Sequence, residues 1–119
     1  MLCIIQARLG SSRLKNKLCL KINQHKLIEW VLIRSKKIKK ITKVVLAVPN
    51  KKSQKPLIDI AKKYDCDFYL GSENNLIKRF LDILKYHKQK EFIRICADNP
   101  FLCHKEINNL ISFFHKKKV

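Results

Sequence analysis

Acidic residues are scarce in this chain of 119 residues, which has 9 Asp and Glu against 27 Lys and Arg and a formal net charge of +18. Glycine and proline are scarcer still, at 2 and 3 residues. The longest run without Asp, Glu, Lys or Arg has nine residues, too few for a membrane-spanning helix. The first residues are apolar and lack both a basic segment and a small-residue cleavage site, so we expect neither a secretory signal nor a membrane partner.

The five cysteines are odd in number and have no paired spacing. Two of them, Cys3 and Cys96, lie inside apolar runs, where a free thiol behaves as a small hydrophobic residue. This usage is typical of a protein from a reducing compartment, and it predicts a cytoplasmic location. Cys103-His104 has no second ligand pair, so a zinc site is not expected.

The positive charge has two interpretations. A basic chain can bind nucleic acid, but Lys, Ile and Asn supply 45 of the 119 residues, a skew that an AT-rich genome imposes on any protein. We therefore do not favour nucleic acid as the partner. The charge is uneven, because residues 1–60 carry a net charge of +13 and residues 61–119 carry +5. The N-terminal half is the better candidate for holding an anion.

Short apolar runs alternate with amphipathic segments along the chain. We predict strands at Leu2–Gln6, 44–48, 68–70 and Phe92–Cys96. The first helix is predicted at 27–38. Three more helices are predicted from apolar residues at helical spacing. Their apolar faces consist of Leu57, Ile58, Ala61 and Tyr64 in the second helix, of Leu76, Ile77, Phe80, Leu81 and Leu84 in the third, and of Ile107, Leu110, Ile111 and Phe114 in the fourth. Apolar strands without alternation are typical of a parallel sheet buried on both faces. The order predicts a three-layer α/β/α fold in one domain, residues 1–119.

A connection of about 20 residues, 7–26, separates the first predicted strand from the first predicted helix, and connections of this length are usually functional. It begins Ala7-Arg8-Leu9-Gly10-Ser11-Ser12-Arg13-Leu14-Lys15-Asn16-Lys17. Glycine lets backbone N–H groups approach a phosphate, serines donate to its oxygens, and Arg and Lys neutralise its charge. The spacing is not that of a Walker A loop. The composition favours a phosphate-binding loop, and a solvated basic loop stays open as the alternative.

Two further loops follow later strands. Gly71-Ser72-Glu73 could contact a ligand, or it could form a strand-to-helix turn with Ser72 or Asn74 as the helix cap. Asp98 is the only carboxylate at the C-terminal end of a predicted strand. It could hold Mg²⁺ against bound phosphates, or it could be a turn residue before Pro100. The residues alone leave both pairs of alternatives open.

Blocks of sequence in a fixed order along the whole chain resemble one family. They are Ile4-Ile5-Gln6-Ala7-Arg8-Leu9-Gly10-Ser11-Ser12-Arg13-Leu14 with Lys17-Leu18, Leu27-Ile28-Glu29-Trp30-Val31 with Val44-Val45-Leu46-Ala47, Gly71-Ser72-Glu73 with Arg79-Phe80, and Arg94-Ile95 through Asp98, Pro100 and Leu102. The chain resembles the cytidylyltransferases of the spore-coat-polysaccharide type, relatives of the CMP-sialic acid and CMP-KDO synthetases. The resemblance implies a mostly parallel, Rossmann-like nucleotidyltransferase sheet. It also implies transfer of CMP from CTP to a sugar hydroxyl, of an acidic or nonulosonic sugar, for surface polysaccharide or glycan.

The resemblance further implies roles for particular residues. Arg8, Lys17 and Asp98 would be catalytic, with Asp98 as the ligand of Mg²⁺. The nucleotide would be bound by Ala7, Arg8, Gly10, Ser11, Ser12, Arg13, Lys17, Ser72 and Glu73. The implied partners are CTP and a sugar acceptor, together with a second copy of the chain in a homodimer or a separate chain that carries the C-terminal half.

The sequence departs from the family pattern in several places. Lys15-Asn16 replaces Pro-Gly, Ala97 replaces a glycine, Gln24-His25-Lys26 replaces Gly-Lys-Pro, and Asn75 and Lys78 occupy acidic positions. Family members are usually much longer, and their second half supplies another metal ligand and the sugar pocket. We therefore expect the N-terminal, nucleotide-binding half of the family fold, either as part of a cytidylyltransferase or as a remnant that binds nucleotide without transferring it.

Overall fold

The structure is a computed structural model and describes residues 1–10 and 17–117. Its strands and helices, in chain order, are β1 Leu2–Gln6, β2 Lys21–Ile22, β3 His25–Lys26, α1 Leu27–Ser35, β4 Lys43–Pro49, α2 Lys55–Lys63, β5 Asp67–Gly71, α3 Leu76–Tyr86, β6 Phe92–Cys96 and α4 His104–Lys117. Short 3₁₀ turns lie at Lys17–Cys19 and Lys52–Gln54. The predicted order of strands and helices is confirmed. The structure also contains an antiparallel hairpin of β2 and β3, which the sequence did not predict. It lies inside the long connection between β1 and α1.

Four of the strands form one parallel sheet in the order β5-β4-β1-β6. β1 pairs on one side with β4, from Leu2 opposite Lys43 to Gln6 opposite Ala47, and on its other side with β6. The chain proceeds outward from β1 to β5 and then returns to the opposite side of β1. The strand order therefore reverses between β1 and β6. In open α/β sheets, ligands bind at such a reversal, outside the carboxyl ends of the strands.

Helices cover both faces of the sheet and form the three layers that the sequence predicts. Successive residues of β1 show this arrangement, because Cys3 and Ile5 belong to the core shared with α1, α2 and α4, whereas Leu2 and Ile4 belong to the core shared with α3. Since β1 and β4 lie in the middle of the sheet, nearly all of their side chains are buried. These two strands have the uniform apolar sequence that a doubly covered strand requires.

The two edge strands are less buried than their apolar sequences predict. In β6, Arg94 and Cys96 are exposed, and β5 is only half-buried along most of its length. The prediction of burial on both faces is therefore wrong for β5 and β6, because each has a neighbouring strand on one side only and lies at the margin of the helix layers. The Cys96 thiol is accordingly at the surface, whereas Cys3 is in the core.

The helices also differ in detail from their predicted extents and faces. α1 ends at Ser35, three residues before its predicted end. Ile77 and Leu81 of α3 are 71% and 59% exposed, and Leu110 of α4 is 57% exposed, so these parts of the predicted apolar faces are wrong. Among the described helices, α3 alone covers its face of the sheet, and no adjacent helix buries its flanks. Within the same residues, no helix has both the length and the apolar character needed to cross a membrane.

Candidate functional site

The connections that follow β1 and β6 meet where the strand order reverses. The N–H of Ala97 donates to the carbonyl of Gln6 at 3.2 Å, which extends the pairing of the two strands by one residue. Nζ of Lys17 lies 3.9 Å from Oδ2 of Asp98. The fold therefore brings together two residues that are 81 positions apart in the sequence and that the family resemblance marks as catalytic.

The Lys17–Asp98 pair is open to solvent. The two side chains are 46% and 58% exposed, and an exposed pair of this kind contributes only about 0–1 kcal/mol to stability. The turn after β6 is stabilised by a different residue, since Oδ1 of Asn99 accepts a hydrogen bond from the N–H of Phe101 at 3.2 Å. Asp98 itself lies within the turn that the N–H of Asn99 closes by donating to the carbonyl of Cys96 at 3.3 Å. Its carboxylate is nevertheless open to solvent, so a ligand-facing role and a turn role are both compatible with the geometry.

Arg8 belongs to the same first loop and lies near a buried arginine of α3. Arg79 is 3% exposed, and its guanidinium donates from Nε and Nη2 to the carbonyl of Ser72, at 3.0 and 2.7 Å, and from Nη2 to the carbonyl of Glu73 at 3.3 Å. Burial lowers the pKa of Arg79, and the nearby charge of Arg8 lowers it further. Arg79 therefore fixes the Ser72-Glu73 loop through these hydrogen bonds, in a region that also carries the charge of Arg8.

Gly71 is required by the close packing of Arg79 against the end of β5. A Cβ at position 71 would lie 2.5 Å from Cγ of Arg79 and 3.3 Å from its Cβ. Contacts below 3 Å are far inside van der Waals distance, so any larger residue must displace the arginine. Gly71 and Arg79 therefore form one unit, which sets the path of the Ser72-Glu73 loop.

The N-cap of α3 is Asn75, so the prediction of Ser72 or Asn74 as the cap is wrong by position. Oδ1 of Asn75 accepts from the N–H of Lys78 at 3.0 Å, which satisfies one of the free amides of the first turn. The hydroxyl of Ser72 instead accepts from the N–H of Asn75 at 3.2 Å and shapes the turn before the helix. Glu73 is half-buried and pairs with Lys51, with 2.6 Å between Oε1 and Nζ.

The backbone of the first loop is held at two residues. The N–H of Ala7, a predicted nucleotide-binding residue, donates to the carbonyl of Ala47 at 3.1 Å, so it supports the sheet and is not available to a phosphate. The N–H of Leu9 donates to Oε1 of Gln54 at 2.7 Å, and Nε2 of Gln54 donates back to the carbonyl of Leu9 at 3.3 Å. Gly10 is exposed and has a φ of +86°, a conformation that glycine adopts most easily.

The remaining residues of the predicted phosphate loop lie outside the described residues. They are Ser11, Ser12 and Arg13, with their neighbours Leu14, Lys15 and Asn16. The described part of the loop therefore consists of its two ends, which contribute Arg8 and Gly10 on one side and Lys17 on the other. The Lys17 end lies beside the turn that carries Asp98. The Arg8–Gly10 end is held from the side of β4, by Ala47 and by Gln54 in the turn after that strand.

The donor set at this site fits a magnesium ion that arrives with a nucleotide. Among the described residues, no group of three or more His, Cys, Asp or Glu side chains could hold a metal ion by itself. Mg²⁺ requires less from the protein when phosphates are present, since one or two carboxylates, phosphate oxygens and water complete its shell. The accessible carboxylate of Asp98 meets that requirement as a single protein ligand.

A second cluster of charged groups lies between α1 and the end of α2. Glu29 is 5% exposed. Its Oε2 accepts hydrogen bonds from the hydroxyl of Tyr64 at 2.6 Å and from Nζ of Lys63 at 3.2 Å. Its Oε1 accepts a hydrogen bond from the N–H of Lys26 at 2.9 Å. Burial alone would raise the pKa of Glu29, but these hydrogen bonds outweigh it and lower the pKa to about 2. The bond to Glu29 raises the pKa of Tyr64 to about 12. All of these groups are satisfied within the protein, which is typical of a structural cluster.

A parallel sheet with a basic, carboxylate-bearing loop pair at its switch point is the arrangement of a nucleotide-binding α/β domain. The family model for cytidylyltransferases matches residues 2–119, and the chain belongs to this family. The spore coat polysaccharide biosynthesis protein SpsF of Bacillus subtilis is 29% identical over 106 residues, which are 86% of this chain and 44% of that protein. The chain spans a little under half the length of the curated relatives it matches.

Two solved structures are similar to the whole described fold. A cytidylyltransferase from Leptospira borgpetersenii is 30% identical, with a TM-score of 0.91, over 96% of this chain and 48% of that one. A CMP:2-keto-3-deoxy-manno-octonic acid synthetase in complex with CTP has a TM-score of 0.84 at 18% identity, over 99% of this chain and 48% of that one, which is a likeness of fold. The family resemblance and the α/β fold class predicted from the sequence are confirmed.

Proposed function

We propose that residues 1–119 form the nucleotide-binding domain of a cytidylyltransferase, equivalent to the N-terminal half of the family fold, and that this domain binds CTP with Mg²⁺. The observation that carries the proposal is the accessible Lys17–Asp98 pair at the switch point, with Nζ and Oδ2 3.9 Å apart. Membership of the family supports the nucleotide as CTP. The synthetase of similar fold has CTP bound, which also supports this nucleotide.

Each residue of the site has a proposed role in binding. Arg8 and Lys17, at the two ends of the first loop, neutralise the triphosphate, and Gly10 lets the backbone approach it. Ser11, Ser12 and Arg13 complete the phosphate contacts. Asp98 would hold Mg²⁺, and Ser72 and Glu73 would line the nucleotide from the neighbouring loop.

The reaction that we propose for the complete site is the transfer of CMP. The oxygen of an acceptor hydroxyl bonds to the α-phosphorus of CTP, the bond from that phosphorus to the oxygen shared with the β-phosphate breaks, and pyrophosphate leaves. The hydroxyl proton passes to water. Mg²⁺ on the phosphates would supply charge neutralisation at the α-phosphorus. Arg8 and Lys17 orient the triphosphate and offset the charge that develops on the leaving pyrophosphate.

The acceptor in this proposal is the hydroxyl of an acidic or nonulosonic sugar, destined for surface polysaccharide or glycan. The name of the Bacillus subtilis relative, a spore coat polysaccharide biosynthesis protein, supports this substrate class. The acceptor pocket would belong to the second half of the family fold, which residues 1–119 do not include. A homodimer, or a separate chain with that half, is part of the proposal as a partner. The five free cysteines suit a reducing compartment, and we propose the cytoplasm, where CTP is available.

The direct test measures the thermal midpoint of the protein with Mg²⁺ and each of CTP, UTP, ATP and GTP. Because a ligand that binds the native state stabilises it by mass action, CTP should raise the midpoint most. Equal shifts with all four nucleotides would indicate only a polyphosphate effect of the basic surface. CTP binding without pyrophosphate release, in the presence of sugar acceptors, would leave a nucleotide-binding domain without transfer. Salt-dependent binding of DNA with no preference for CTP would indicate a nucleic-acid-binding protein instead.

A further inference from the structure

Gln54 is a buried polar side chain that bonds the first loop from a distant part of the sequence. It is 2% exposed and lies 45 positions from its partner, Leu9. Its Oε1 accepts from the N–H of Leu9 at 2.7 Å, and its Nε2 donates to the carbonyl of Leu9 at 3.3 Å. A primary amide carries one acceptor and two donors, so this side chain satisfies both backbone groups of one residue.

The turn that carries Gln54 contacts both of the loops at the candidate site. The N–H of Gln54 donates to the carbonyl of Lys51 at 3.1 Å, which closes the 3₁₀ turn after β4. Nζ of Lys51 in turn lies 2.6 Å from Oε1 of Glu73, in the loop after β5. The turn therefore connects Leu9 on one side with Glu73 on the other.

Leu9 lies between two residues of the candidate site, so the contact with Gln54 affects both of them. Arg8 precedes it and Gly10, with φ +86°, follows it, so a fixed Leu9 backbone sets the direction in which the loop leaves β1. We propose that Gln54 is a positioning residue, which acts through the Leu9 backbone to place Arg8 and Gly10 for the nucleotide phosphates. The inference deepens the proposed function and rests on it. A loop held in advance loses less conformational freedom when a ligand binds, which favours affinity.

Two variants of Gln54 and one matched control separate positioning from general stability. Gln54→Met keeps the length of the side chain and removes both hydrogen bonds to Leu9. Gln54→Glu keeps an acceptor for the Leu9 N–H but, when ionised, cannot donate to the Leu9 carbonyl. This variant replaces Gln54→Met in the experiment if the methionine variant does not fold. The control is Ile60→Val in α2, which loses one buried methyl group and touches neither loop through a polar contact.

The first measurement is isothermal titration of each folded variant with CTP and Mg²⁺, and with inorganic tripolyphosphate as a probe that lacks the base. We expect Gln54→Met to weaken both ligands about tenfold, which corresponds to about 1.4 kcal/mol of binding free energy. Gln54→Glu should weaken both ligands as well, because it keeps only one of the two hydrogen bonds to the Leu9 backbone. Ile60→Val should bind both ligands as the wild type does, despite its lower stability.

The second measurement is backbone amide hydrogen exchange without any nucleotide, which tests the contact independently of the proposed function. Gln54→Met should speed exchange at the Leu9 amide more than tenfold and leave Ile4 and Ile5 of β1 as protected as in the wild type. Unchanged exchange at Leu9 would overturn the inference, whatever the ligand data.

The outcomes distinguish the inference from the function on which it rests. If the wild type binds CTP and Gln54→Met binds it equally well, the positioning role is overturned and the proposed function stands. If Ile60→Val weakens binding as much as Gln54→Met does, loss of stability explains both and the positioning role is again overturned. If the wild type binds no CTP, the proposed function fails, and the inference fails with it.

Discussion

Two lysine–carboxylate clusters in this protein use the same chemical groups in opposite ways. The side chain of Glu29 is 6% exposed and accepts hydrogen bonds from Tyr64, Lys63 and the backbone of Lys26. The side chain of Asp98 is 58% exposed and, among the described residues, pairs with Lys17 alone, with 3.9 Å between the charged atoms. A buried, satisfied charge is costly to disrupt, because the groups left behind lose their partners, whereas an open pair contributes little and can rearrange around a ligand. The comparison separates the structural cluster from the candidate binding site.

The largest expected change in stability comes from breaking the closed cluster with Glu29→Gln. Hydrogen bonds to a charged group contribute about 1.5–3 kcal/mol each, and the neutral amide keeps the shape but weakens them. We expect the free energy of unfolding to fall by about 2 kcal/mol in urea titrations, while the affinity for CTP changes less than twofold. A loss of CTP affinity in proportion to the loss of stability would remove the distinction between the two clusters.

The acid sensitivity of the fold should follow the same carboxylate. The pKa of Glu29 is lowered to about 2 in the folded protein, so its contribution to stability is full above its unfolded pKa of about 4.3. That contribution is lost as the pH falls through the folded pKa. Between about pH 5 and pH 2, the wild type should lose more stability than Glu29→Gln. If the free energy of unfolding, measured at pH 7, 5 and 3, falls by the same amount in the two proteins, Glu29 is not the carboxylate that makes the fold sensitive to acid.

A loss of stability of similar size is expected from Gly71→Ala, at the loop beside the open site. The added Cβ would lie 2.5 Å from Cγ of Arg79, and overpacking of this kind costs about 1–3 kcal/mol. A double-mutant cycle supplies the control: in an Arg79→Ala background, most of the cost of Gly71→Ala should disappear. An unchanged cost in that background would mean that Arg79 is not the residue that requires the glycine.

The smallest changes in stability are expected at the open site itself. Lys17→Ala and Arg8→Ala remove exposed charges and should alter the free energy of unfolding by no more than about 0.5 kcal/mol. Their affinity for CTP with Mg²⁺ should nevertheless fall about tenfold, because each loses a charge-assisted contact to phosphate. Lys37→Ala, at an exposed lysine after α1, is the matched control and should bind as the wild type does. A loss of several kcal/mol of stability in either variant would make that residue structural.

The elements that the sequence predicts well are those whose own residues carry the signal. β1 and β4 are uniformly apolar because both of their faces are covered, and Asp98 and the first loop could be placed at the strand ends from local patterns. The exposure of Arg94 in β6 could not be predicted from the sequence. It depends on which strand lies at the edge of the sheet, and an apolar run does not encode the order of the strands.

Gln54 could not be identified from the sequence for a similar reason. It lies between lysines and a serine in a segment typical of a solvated turn, and the backbone groups that it bonds belong to Leu9, 45 positions away. Arg79 was visible only through the family resemblance. Its contact with Gly71 is a matter of packing, which spacing along the chain does not reveal.

The most direct test of the open site is calorimetric titration of CTP into the wild type and Asp98→Asn, with Mg²⁺ and with EDTA. Asp82→Asn is the control, since Asp82 is a surface carboxylate that pairs with Lys78 on α3 at 2.9 Å. The substitution at Asp98 keeps the shape and removes the charge that a hard cation requires. We predict that Asp98→Asn loses the Mg²⁺-dependent gain in CTP affinity and keeps or improves its affinity for CTP in EDTA. Asp98→Asn should unfold at the same urea concentration as the wild type. Asp82→Asn should keep the Mg²⁺-dependent gain in CTP affinity. An unchanged Mg²⁺ dependence in Asp98→Asn would contradict the account and return Asp98 to the role of a turn residue.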